Sequence, residues 1–140
     1  MIGKTIRQEE WDVWLDRQIQ CLRSHEFDRL DLANVIEELE DLGKEQRNAC
    51  RSCCRQILVH LLLIDYWHEH TKTRNHWRAE VVNFQSELQD RLTTNYRKYL
   101  QENLQSIYRQ SLKIVERKTE LSDRFPKKCP YTIEQIIELD

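Results

Sequence analysis

Glycine and proline are nearly absent, with two of each in 140 residues. Gly3 and Gly43 stand far apart, so the chain cannot assemble a glycine-rich phosphate cradle, a dinucleotide fingerprint or a Gly-x-Ser-x-Gly nucleophile elbow. Folds with many β-turns, which take Gly or Pro at most corners, are excluded by the same scarcity. What remains is helix. Charged residues make up 33%, and Glu, Gln, Arg, Lys and Leu dominate, side chains that lose little rotamer freedom in a helix. The expected fold class is all-α: an antiparallel helical bundle of about four main helices plus a short C-terminal helix, as a single domain over residues 1–140.

A chain of this length buries roughly 68–70% of its unfolded surface when compact, and a hydrophobic fraction of 39% supports such a core. The net charge of −2 implies no general attraction to nucleic acid or to an anionic membrane. The opening MIGKTIRQEEW has no apolar stretch of the kind a secretory signal needs. The apolar run from Ile57 to Ile64 contains His60 and falls well short of the ~20 residues that span a bilayer. Five cysteines (Cys21, Cys50, Cys53, Cys54, Cys129) without an export signal suit a reducing compartment, so the expected location is cytoplasmic.

The helical period organises the rest. Trp11, Trp14, Leu15, Gln18, Ile19 and Leu22 form one stripe of a first helix over residues 8–24. Asp31, with Asn34 three residues on, is a good N-cap for a long second helix from Leu32 to Trp67. Its stripe runs from Leu32, Val35, Ile36, Leu39 and Leu42 through Gly43, Ala49, Cys50 and Cys53 to Ile57, His60 and Ile64. Gly43 is the expected place for a kink or a close helix contact. Residues 68–75 read as a connection. A third helix follows from about His76, with Trp77, Val81, Phe84 and Leu88 on one face. Thr94 or Asn95 is expected to cap a fourth, carrying Tyr96 through Val115. Both prolines mark residues 122–130 as irregular, and Thr132 with Gln135 forms a capping box for a last helix ending near Leu139.

Charge is segregated. Residues 26–45 hold eight acids and two bases, a local −6, and residues 91–128 hold ten bases and four acids, a local +6. Two facing helices of one bundle account for this better than a nucleic-acid face, because the blocks cancel.

Three constellations carry potential chemistry. Cys50, Cys53 and Cys54 share one helix face and form a weak candidate metal set with His60. They lie on the apolar stripe, however, where small hydrophobes in a tight helix contact are the simpler reading, and no metal is expected. His60 lies between Val59 and Leu61 and reads first as a hydrogen-bonded core residue. Glu37, Glu38, Glu40 and Asp41 offer carboxylates of the type that build di-metal bundle sites, but the nearest second half is Asp65-x-x-His68 alone. Glu37, Glu40 and His60 are the catalytic candidates, and they share a site only if the chain folds back at Gly43. The run from Lys72 to Arg78 interleaves bases with Trp77, which is expected to anchor the third helix while the bases stay wet. No Ser/His/Asp spacing supports nucleophilic catalysis.

Asp31-Leu32, Val35-Ile36-Glu37-Glu38-Leu39-Glu40, Leu42-Gly43, His60-Leu61-Leu62, Trp77 with Gln85, Phe125-Pro126 and Cys129-Pro130-Tyr131-Thr132 occur in an order that resembles the bacterial "domain of unknown function 29" family, common in cyanobacteria. The resemblance covers nearly the whole chain. It implies an all-helical bundle and carries no activity, substrate or catalytic residue. Leu63, where a base often follows His-Leu-Leu, and Gln85-Ser86, where a Gln-Arg pair is usual, depart from the pattern. The expected function is therefore non-enzymatic: a module that binds a protein partner or itself, with no cofactor, no membrane and no nucleic acid. The alternatives are a metal-dependent enzyme or sensor using His60 with the Glu37–Asp41 carboxylates, and nucleic-acid binding through residues 91–128.

Overall fold

The computed structural model describes residues 10–67 and 72–138, and those residues are helices and irregular links with no strand. The chain divides into two compact units, residues 1–45 and residues 46–140.

In the first unit, α1 (Trp11–Arg23) carries Asp12 in its first turn and Arg23 in its last, matching charge to the helix dipole at both ends. The chain has no glycine to end this helix, and His25 takes the left-handed conformation instead, at φ 58°. The Glu26 N–H then reaches the Cys21 carbonyl at 2.9 Å and the His25 N–H the Leu22 carbonyl at 3.3 Å, the paired bonds of a Schellman ending. A short 3-10 turn (Phe27–Arg29) leads to Asp31. The Asp31 carbonyl accepts the Val35 N–H at 2.9 Å, which makes Asp31 the residue that opens α2 (Leu32–Tyr66), as its sequence position predicts.

Gly43 does neither thing expected of it. α2 runs through it unbroken, and a Cβ built there would meet nothing within 4 Å, so no helix approaches closely enough to require the missing side chain. All residues between Glu37 and His60 are helical, without the break at Gly43 that the expected site requires.

The second unit comprises the remainder of α2 with α3 (Arg74–Arg91), α4 (Thr94–Glu102), α5 (Leu104–Thr119) and α6 (Ile133–Ile137). Its core is fed mostly by α2: Cys50, Cys54, Ile57, Leu58, Leu62 and Leu63 are fully buried, alongside Leu88, Leu100, Ile107, Tyr108, Val115 and Ile136 from the other helices. Each such aliphatic side chain stabilises the unit by roughly 1.5–3 kcal/mol relative to exposure.

Several boundaries differ from expectation. The cap of α4 is Thr93, not Thr94 or Asn95: Thr93 is extended, and its Oγ1 accepts the Tyr96 N–H at 3.1 Å. The fourth helix is also two. Asn103 interrupts it because its side-chain amide donates to the Tyr99 carbonyl at 2.8 Å, competing with the backbone, while its own carbonyl accepts the Ile107 N–H and starts α5. The Thr132–Gln135 capping box forms as predicted. The outer helices are also shorter than expected: Glu10, within the expected first helix over residues 8–24, is extended, and Glu138 is extended where the last helix is expected to run to Leu139. Gln8 and Leu139 themselves lie outside the described residues.

Candidate functional site

His60 is half-buried on α2. Its Nδ1 lies 2.7 Å from the Gln56 carbonyl, one turn earlier on the same helix. A carbonyl can only accept, so Nδ1 carries the proton in this bond and Nε2 is left as the acceptor of the neutral ring. The imidazole also packs on Phe84, with centroids 5.9 Å apart. The ring is held by packing and by its own helix, with no carboxylate among these contacts.

The acidic cluster behaves differently. Glu40 is exposed, and Glu37, Glu38 and Asp41 are half-buried. All four belong to the first unit, whereas His60 belongs to the second. His68, the second half of the Asp65-x-x-His68 element, lies outside the described residues. Asp65 itself accepts a hydrogen bond from the Tyr131 hydroxyl at 2.6 Å.

Cys50, Cys53 and Cys54 are buried, and all five cysteines are free thiols. Burial pushes the Cys54 thiol up to about 12, and burial followed by the nearby Glu87 pushes Cys53 up to about 11. Burial also raises Cys50, with Arg91 opposing. Such thiols stay protonated near neutral pH, and the protonated form is a poor nucleophile. Among the described residues, no three His, Cys, Asp or Glu side chains are arranged to hold a metal ion.

Trp77 is buried and stacks on Trp67 at a centroid distance of 5.6 Å with rings 17° apart. Lys72 and Arg78 are exposed, in line with the anchoring role predicted for the tryptophan. Arg74 departs from the expected wet bases: its guanidinium donates to the Ile64 carbonyl at 2.7 Å, in the last turn of α2.

Sequence reasoning missed several polar ties within the second unit. Gln85 and Gln89, one turn apart on α3, donate to the Ile136 and Ile137 carbonyls, each at 3.0 Å, and so hold α6 in place. Arg51 donates to Ser106 Oγ at 3.1 Å and to the Tyr99 hydroxyl at 3.4 Å. Glutamine and arginine at half-apolar helix positions are the only trace these leave in sequence.

The feature that stands apart is apolar and lies in the first unit. Of the ten large hydrophobic side chains exposed among the described residues, eight fall between Trp11 and Leu42: Trp11, Val13, Leu22, Phe27, Leu32, Ile36, Leu39 and Leu42. Along the stripe of the second helix, Cys50, Cys53, Ile57 and Ile64 are therefore buried, whereas Leu32, Ile36, Leu39 and Leu42 are open to solvent and Val35 is half-buried. Two cavities lie between α1 and this open stretch. One, of about 290 Å³, has Trp11, Leu15, Leu39 and Leu42 in its walls, with the acids Glu38, Asp41 and Glu45 among them. The other, of about 200 Å³, shares Leu15, Glu38 and Leu39 with the first and extends to Ile19, Leu22 and Val35. Helical periodicity could locate this stripe but could not reveal that it lies uncovered.

Among the described residues, no helix is long and apolar enough to cross a membrane. No curated protein and no solved structure matches the chain. The sequence profile of the family described as domain of unknown function DUF29 matches residues 8–140, and the chain belongs to that family.

Proposed function

We propose that this protein is a non-enzymatic interaction module, which binds a protein partner or a second copy of itself through its first unit. The observation that carries the reading is the concentration of exposed large hydrophobics between Trp11 and Leu42, with Leu39 at 64% and Leu32 at 59% exposure. Large apolar side chains exposed in such number within one short unit favour association with another surface, whereas singly scattered ones do not. The candidate catalytic residues are not gathered in one place: Glu37 and Glu40 belong to the first unit and His60 to the second, where its Nδ1 is tied to the Gln56 carbonyl and its ring packs on Phe84. Five free thiols fit work in a reducing compartment such as the cytoplasm.

Replacing Ile36 and Leu39 together by Asp tests this, since both side chains are exposed and their loss leaves the core intact. The double variant is expected to keep the wild-type circular dichroism and to lose the association that the wild type shows by sedimentation or by retention of protein ligands. A wild-type chain that stays monomeric and retains nothing the variant fails to retain overturns the reading. So does reproducible turnover of a small-molecule library that disappears in His60→Ala with the fold intact.

A further inference from the structure

The first unit's apolar groove is framed by negative charge. Residues 1–45 contain twelve acids and six bases, a net of −6, against −2 for the whole chain. Three of those acids, Glu38, Asp41 and Glu45, follow one another at three- and four-residue spacing on α2, beside Leu39 and Leu42. Apolar walls and acidic rim therefore run along the same helix. Leu15 and Leu39 belong to both cavities, so the two form one continuous trough along the α1–α2 pair. Trp11, at 46% exposure, closes one end with the side chain type that most often anchors a binding interface.

We propose that this trough receives a basic amphipathic helix from a partner protein. The inference rests on the interaction reading above and names the chemistry of what is bound. A helix laid in a groove buries one apolar stripe, spaced at three and four residues, and presents its flanks to the rim. Against Glu38 and Glu45, Lys or Arg flanks are favoured: acidic flanks would put like charges together, and basic ones add favourable charge pairs that neutral ones cannot. The apolar stripe supplies the contact, with one large side chain filling the cavity of about 200 Å³ beside Trp14 and Val35. The charges supply selectivity and speed of encounter.

The test uses the full chain and three synthetic helical peptides that share one Leu/Phe stripe and differ only in flanking residues, Lys/Arg, Gln or Glu. Binding is followed by fluorescence anisotropy at low and at high salt. The basic peptide is expected to bind about tenfold or more tighter than the Gln peptide at low salt, with the Glu peptide weakest and the preference shrinking as salt rises. Glu38→Lys combined with Glu45→Lys should remove the preference but keep Gln-peptide binding. Leu39→Asp should abolish binding of all three, and Val82→Asp, an exposed apolar site on α3, should change nothing. Equal binding of the basic and Gln peptides overturns the charge-selected occupant while leaving an interaction module. No peptide binding together with Leu39-dependent self-association makes the occupant a second copy and overturns the inference alone. Neither binding nor self-association overturns both this inference and the reading it rests on.

Discussion

The indole Nε1 of Trp14 donates to Oδ2 of Asp31 at 3.1 Å, across the turn that joins α1 to α2. The same carboxylate oxygen accepts the Asn34 side-chain amide at 2.9 Å, and the Asp31 N–H donates to Gln18 Oε1 at 2.7 Å. Trp14 and Gln18 are both buried, so the short first unit is held by a polar knot around one aspartate as well as by apolar contact. Asp31→Ala removes the residue that opens α2 and leaves a buried indole N–H without its acceptor. The expected cost is about 1–3 kcal/mol by denaturant unfolding, with α1 amides losing hydrogen-exchange protection first. Asp31→Asn, which keeps an acceptor and a capping side chain, should recover most of it. An alanine variant within about 0.5 kcal/mol of wild type would show that the knot does not hold the turn.

Among the described residues the one glycine is in a position that does not use it, and two positions that favour glycine lack it. Gly43 sits inside α2 with open space around its missing Cβ. Gly43→Ala is expected to stabilise the protein by about 0.5–1 kcal/mol, by reducing the freedom of the unfolded chain and improving helix propensity. Glu120, at φ 59°, ends α5 in the left-handed region, which costs a side-chain-bearing residue roughly 1–2 kcal/mol. Glu120→Gly should therefore also stabilise, against the usual effect of introducing glycine. Paired melting curves decide both. A destabilising Gly43→Ala would mean that the close approach expected from sequence exists after all.

How much of this was legible follows from what helical periodicity records. The all-α class, the long helix from Leu32, the capping box at Thr132 and the anchoring of Trp77 are local or nearly local properties, set by residues three and four apart. The break at Asn103 was masked because the apolar period runs on across it, from Tyr96, Tyr99 and Leu100 to Leu104, Ile107 and Tyr108. Asn nevertheless favours helix ends over interiors, and its side chain bonds the Tyr99 carbonyl. The same limit applies to the candidate site. Periodicity marks Leu32, Ile36, Leu39 and Leu42 as one face but is silent on whether another element covers it, and their exposure is what turns that face into a candidate interface. Conversely, His60 stands out in sequence by chemistry, yet its ring is engaged by Gln56 and Phe84.

Gln85 is the clearest test of the polar ties. It is 5% exposed on α3, and its amide donates to the Ile136 carbonyl near the end of α6. Gln85→Leu keeps a side chain of similar size but leaves that carbonyl unsatisfied in buried surroundings, a loss of about 1–3 kcal/mol. Because Gln89 makes the parallel bond to Ile137, the double variant should cost more than the sum of the singles if the two act as one clamp. Hydrogen exchange at residues 133–137 reads the release of α6 directly. Unchanged protection there would show that apolar burial of Ile133, Ile136 and Ile137 suffices.

The buried thiols give stability a pH dependence of definite sign. Cys54 is pushed up to about 12 and Cys53 to about 11 from an ordinary value of 9.0, chiefly by burial. Above pH 9 the unfolded chain loses these protons while the folded chain keeps them, so the folded state binds more protons. Stability is then fully present below pH 9 and falls as pH rises toward 11–12, by up to about 1.4 kcal/mol per pH unit for each such thiol. Burial raises Tyr108 and Tyr131 as well, from ordinary values of 10.0, so the cysteines lead the decline near pH 9 and the tyrosines add to it as pH approaches 10. Denaturant midpoints measured across this range should decline in wild type and decline less in Cys54→Ala. The same burial should make Cys50, Cys53 and Cys54 unreactive toward a disulfide reagent until denaturant is added. Rapid labelling of all three in the native protein, or a flat pH profile, would mean that the cluster is open to solvent and free to ionise.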